Sequence, residues 1–123
     1  MTDICAHNDD LARRPIRWLL WGVPAVLFAV GAFVPPLPRL LLWTPALLIA
    51  GVVCLANAGR CRRLHCYITG PLYLIAALTT VLVGMGVVPL PWRWIAWGVI
   101  GGTILAHTPE WVRGRYVARA SRP

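Results

Sequence analysis

The chain has 123 residues, 59% of them apolar and 13% charged, with twelve basic and four acidic side chains for a net charge of +8. That length allows one compact unit, and the apolar excess excludes a disordered chain and argues against an ordinary soluble domain, which carries roughly 45–50% apolar and about 25% charged residues. All the cations are arginines and lie between long apolar runs, so the charge reads as contact with lipid headgroups and not with nucleic acid.

The first apolar run, 16–34, would reach about 28 Å as a helix, close to the roughly 30 Å of a bilayer core. Pro24 predicts a kink inside it, and Pro35, Pro36 and Pro38 are expected to end it, since proline cannot continue the hydrogen-bond ladder. Ala29-Val30-Gly31 has the small residues of a signal-peptide cleavage site. The run is long for that role, however, and a retained span is expected. The second run, 40–58, breaks at Asn57 and Gly59. Thr69-Gly70-Pro71 reads as a capped helix start for the third run, 71–88, which Pro89 and Pro91 close. The fourth helix is expected over 92–110. Its clean apolar stretch, 94–106, covers only about 20 Å, so Arg93 must snorkel outward for it to span.

The expected fold is therefore an all-α integral membrane protein: a single domain built as a four-transmembrane-helix bundle. Residues 1–15 would form a cytoplasmic N-terminal segment and 111–123 a basic cytoplasmic tail. Arg13, Arg14, Arg17, Arg60, Arg62, Arg63, Arg113, Arg115, Arg119 and Arg122 fall on one side, and only Arg39 and Arg93 on the other. The positive-inside rule puts both termini in the cytoplasm of a bacterial inner membrane. Trp18, Trp21 and Trp111 would mark the inner interface, and Trp43, Trp92, Trp94 and Trp97 the outer one. Small residues at four-residue spacing include Ala25 with Ala29, Ala46 with Ala50, and Gly98 with Gly102. They permit close helix packing, and the last pair is a candidate homodimer face.

Chemistry-bearing residues are few. No Asp, Glu, Lys or Arg falls in the middle of a run, which argues against proton-coupled pumps and multidrug exporters. No catalytic triad, carboxylate pair or phosphate-cradling loop is visible, so an enzyme is not expected. The thiols and imidazoles remain. Cys5 and His7, in the polar N-terminal segment, read as incidental. Cys54, Cys61 and Cys66 cluster with His65 around a basic loop. A reducing cytoplasm makes a structural disulfide unexpected. Neighbouring arginines favour thiolates, and thiolates select soft or borderline ions such as Cu(I), Zn(II) or Hg(II). Cys61 and Cys66 are the expected primary ligands, with Cys54 as a deeper relay and His65 as a third or substitute donor. Cys61 and His65 would share a face if the loop were helical. His107 and Glu110, at the inner end of the fourth helix, are candidates to complete the set. Against this, Cys54 also reads as a small hydrophobe and His65 as a headgroup or helix-end contact.

The stretch Asn57-Ala58-Gly59-Arg60-Cys61-Arg62-Arg63-Leu64-His65-Cys66-Tyr67-Ile68-Thr69-Gly70-Pro71 resembles the signature of a family of small, largely uncharacterised prokaryotic four-helix membrane proteins. These are associated with mercury- and metal-resistance gene sets. The resemblance implies a membrane protein handling a soft metal ion. The chain departs from the better known mercuric-ion transporters in lacking an adjacent Cys-Cys pair and any outward-facing thiol. The expected function is soft-ion binding at the cytoplasmic face, with transport or delivery of the ion. The alternatives are an accessory subunit of a larger membrane complex and a membrane thiol–disulfide redox protein.

Overall fold

The computed structural model describes residues 15–114, and it is all-helical. Cys5, His7 and the basic tail beyond Gly114 lie outside the described residues. Four helices follow in order: α1, Trp18–Gly31; α2, Pro36–Cys61; α3, Leu64–Gly84; and α4, Trp92–Arg113. Within α2 and α3, Pro36–Arg60 and Leu64–Gly84 are long and apolar enough to cross a membrane, and α1 is a shorter apolar helix.

Of the helix ends, only the start of α4 at Trp92 falls where expected, and the departures at the starts of α1, α2 and α3 all involve prolines. The first turn of α1, Trp18–Gly22, is wound as a wide π-helix and becomes α-helical at Val23. Pro24 has no N–H to offer the carbonyl four residues back, so the disturbance falls N-terminal to it. α2 opens at Pro36 rather than at 40, with Pro35 as its cap. The N–H groups of a first turn have no intrahelical partner, so prolines there start a helix as readily as they end one. α3 begins at Leu64, seven residues before Pro71, which stands inside the helix. Thr69-Gly70-Pro71 is therefore not a helix start. Thr69 donates its hydroxyl to the His65 carbonyl. Gly70 is small because a Cβ there would lie 2.8 Å from Leu55, on the facing helix.

Short connections fold the helices into antiparallel hairpins. α2 and α3 form the centre, α1 packs on α2, and α4 packs on α3. Glycines set how closely the helices approach. Gly51 receives Leu74, Gly84 receives Leu40, and Gly102 receives Leu72. Gly102 is thus used within the chain, whereas the space over Gly98 is open. α2 ends in a left-handed cap at Arg62, φ 51°, whose N–H bonds the Ala58 carbonyl. The next helix starts two residues later, so Cys61 and His65 belong to different helices and share no face.

Opposite the α2–α3 turn, Trp43 is 1% exposed. It is a core residue rather than part of an interfacial belt. Its ring stacks on Phe28 at 4.6 Å, meets Trp92 edge-on at 5.9 Å, and donates its Nε1 hydrogen to the Phe28 carbonyl. Gly31 makes the room for it, since any Cβ there would overlap the indole. Arg39 lies over both Trp43 and Trp92 and donates to the carbonyls of Gly31, Ala32 and Val34. A cation there caps the negative end of α1. Trp18, Trp94, Trp97 and Trp111 are exposed.

Candidate functional site

The other end of the bundle gathers nearly every polar side chain the sequence singled out. It is formed by the last turns of α2, the first turns of α3 and the last turns of α4. Cys54 and Asn57, three residues apart on α2, face Cys66 and Thr69, three apart on α3. Cys54 and Cys66 pack together with Ala58 in one buried cluster. Both residues are closed to solvent, at 1% and 0% exposure. The Thr69 hydroxyl lies 3.3 Å from Cys54 Sγ, and the Asn57 amide points a hydrogen at Cys66 Sγ from 3.8 Å. Each sulfur therefore has a polar neighbour besides the other sulfur. A buried cysteine acting only as a small hydrophobe does not need one.

His65 joins this pair to α4. Its Nδ1 lies 2.5 Å from Glu110 Oε1, and its backbone N–H is directed at the same oxygen from 3.4 Å. Its Nε2 lies 3.4 Å from Cys66 Sγ. With Glu110 as a carboxylate, Nδ1 must carry a hydrogen, and in the neutral imidazole this leaves the Nε2 lone pair facing the Cys66 thiol. Glu110 is the only acid in the chain after Asp10, and its side chain is 9% exposed. His107 stacks on His65 with ring centroids 4.4 Å apart, and hydrogen-bonds the Thr103 carbonyl through Nδ1. The helical register of α4 thus presents Thr103, His107 and Glu110 in succession along one side, the first two at i, i+4. Thr103 meets the Tyr73 hydroxyl at 2.9 Å, which extends the polar row down α3.

Pro109, inside α4, would leave the Leu105 carbonyl without its usual donor. Thr108 donates its hydroxyl to that oxygen at 2.7 Å. This local repair lets the helix run on to carry Glu110 to His65.

Of the four residues expected as ligands, Cys54, His65 and Cys66 come together. Cys61 closes α2 about two turns beyond Cys54, and its side chain lies outside the described residues. The primary thiol pair in view is Cys54 with Cys66, joined by the antiparallel crossing of α2 and α3. Asn57, which reads in the sequence as a pattern breaker, and Thr69, which reads as a helix cap, both belong to the site. Their spacing of three from Cys54 and Cys66 is the signal that could have found them. Of the basic loop, Arg63 is half-buried with its charge acting on both Cys54 and Glu110, while Arg62 is exposed.

Comparison with family models, curated proteins and solved structures gives no match to the chain. The arrangement itself is what there is to interpret. Among the described residues, no group of three or more His, Cys, Asp or Glu side chains is disposed to hold a metal ion. The thiols present a two-sulfur grip, with an imidazole beside one sulfur and a carboxylate behind the imidazole.

Proposed function

We propose that the protein is a four-span inner-membrane protein, with both termini cytoplasmic, that binds a soft metal ion between the Cys54 and Cys66 sulfurs. One observation carries the reading: the two buried cysteines pack in one cluster across the α2–α3 crossing. Soft thiolate donors select soft ions. Two sulfurs suit the two-coordinate habit of Cu(I) and Hg(II) better than Zn(II), which takes four ligands in structural sites. His65, oriented by Glu110, is placed as a metal-site histidine commonly is, with its far nitrogen on a carboxylate.

The membrane reading is supported by apolar side chains left exposed on every helix, among them Val26, Leu41, Val52, Ile75, Leu78 and Ile104. Apolar surface of that extent is what lipid covers. Arg17, Arg60, Arg62, Arg63 and Arg113 gather at the thiol end, and Arg39 and Arg93 at the other. That asymmetry supports a cytoplasmic site.

The test is titration of the reduced, detergent-purified protein with Hg(II), Cu(I) and Zn(II) in turn. One soft ion per chain is expected, with binding lost in Cys54→Ala and in Cys66→Ala and retained in Cys61→Ala. Binding unchanged in the Cys54→Ala, Cys66→Ala double variant would overturn the proposal.

A further inference from the structure

Cys54 and Cys66 are set up for a reaction as well as for holding an ion. Cys54 and Cys66 pack in one buried cluster on two adjacent helices, and a disulfide joins cysteines on closely packed elements. The two sulfurs are not equivalent. Cys66 has the His65 Nε2 lone pair 3.4 Å from its sulfur, with Glu110 behind the ring. Cys54 has the Thr69 hydroxyl, Cys66 itself and the charge of Arg63, but no base beside it. A base beside one thiol marks it as the attacking sulfur and leaves the other as the resolving one.

Bulky oxidants cannot reach so buried a pair, which restricts the oxidant to a small molecule. Trp21 and Tyr73 pack against the Cys54, Ala58 and Cys66 cluster. The same two side chains line a cavity of about 160 Å³ between α1 and the α2–α4 core. A cavity of that size admits molecules as small as water.

We infer that Cys66 and Cys54 form a two-electron dithiol couple that a small hydroperoxide oxidises to a disulfide between α2 and α3. Cys66 gives its proton to His65 Nε2, and its sulfur attacks one peroxide oxygen. The O–O bond breaks, the leaving hydroxide takes the proton from His65 and departs as water, and Cys66 is left as a sulfenic acid. The Cys54 sulfur then attacks the sulfenic sulfur. The S–O bond breaks, and the hydroxyl leaves with the Cys54 proton as a second water. One hydrogen peroxide is reduced to two waters, and two thiols become one disulfide. This chemistry stands without any bound ion. One consequence rests on the proposed ion site: the disulfide uses up both donors, so the ion would be held only in the reduced state.

The experiment uses the full chain with Cys5→Ser and Cys61→Ser, which keeps only the pair. The protein is reduced, freed of metal, placed in lipid nanodiscs and treated with equimolar hydrogen peroxide. Both thiols should disappear together, the intact mass should fall by two hydrogens, and peptide mapping should join Cys54 to Cys66. With Cys54→Ala added, a dimedone probe should trap a sulfenic acid on Cys66. With Cys66→Ser added, oxidation of Cys54 should slow by about 10²-fold or more, because the base has lost its thiol. Thiols that survive in the folded protein while a denatured sample oxidises would overturn the inference, as would over-oxidised Cys66 without a cross-link. The ion reading fails separately: a disulfide that forms in a chain whose reduced thiols take up no Hg(II), Cu(I) or Zn(II) refutes ion binding and leaves the dithiol couple standing.

Discussion

Glu110 shows how one side chain acquires a role from its neighbours. In the sequence it is only a candidate, with His107, to complete a ligand set. Against His65 it fixes which imidazole nitrogen faces Cys66. Glu110→Gln keeps the shape and removes the charge. Its expected effect is a 10–100-fold loss of soft-ion affinity, the usual cost of losing a carboxylate behind a metal-site histidine, measured by competition with a chelator of known affinity. Unchanged affinity would reduce Glu110 to a packing partner. Trp43 is the corresponding residue at the opposite end. Trp43→Ala removes the ring that stacks on Phe28, meets Trp92 edge-on and lies under the Arg39 guanidinium. A loss of about 3–5 kcal/mol is expected, read from unfolding in mixed micelles. Ion binding should survive in the fraction still folded, because the two clusters lie at opposite ends of the bundle.

At the scale of elements, prolines and glycines did two jobs that their sequence positions do not distinguish. Pro36 and Pro38 begin α2, where unpaired N–H groups make proline harmless, whereas the run of prolines reads equally well as a terminator. Gly70 reads as a helix start, yet it lies buried mid-helix to admit Leu55. The two uses separate by mutation. Gly70→Ala forces a methyl group into Leu55 and should destabilise by about 1–3 kcal/mol. Gly98→Ala meets open space and should be neutral, or stabilising by up to about 1 kcal/mol through helix propensity. Thermal unfolding of the two variants side by side decides it. If Gly98 is instead a dimer contact, Gly98→Leu will lower the apparent mass by analytical ultracentrifugation in detergent. Gly102 is a poor probe of that idea because Leu72 of the same chain already occupies it.

For the whole molecule, the proposed orientation rests on the distribution of arginines and can be tested directly. A cysteine introduced at Phe33, in the α1–α2 turn, into an otherwise cysteine-free chain should react with a membrane-impermeant maleimide in intact spheroplasts. One introduced at Arg113 should react only after lysis. The reverse pattern would put the thiol site on the outer face and transfer the peroxide chemistry to an oxidising compartment. The same architecture explains why the site forms. α2 and α3 cross closely because glycines face leucines along the contact. α4 lies on α3 so that His107 and Glu110 descend onto His65.

Much of this was legible in the sequence. Periodic apolar runs, paired with arginine-rich turns at alternate ends, determined four helices and their number and order, because helix length and charge placement are local properties. The reactive residue types, and the region in which they cluster, were equally plain around Cys54–Cys66. The partners were not. Cys54 and Cys66 lie twelve residues apart in sequence and pack in one buried cluster, because a left-handed cap at Arg62 reverses the chain and returns α3 along α2. Trp43 entered the core instead of a lipid belt because Gly31 left space for an indole. Glu110 reached His65 across forty-five residues because α4 packs on α3 in one register. Pairings of this kind depend on how helices are stacked, and only the tertiary structure, through close packing at a few glycines, decided them.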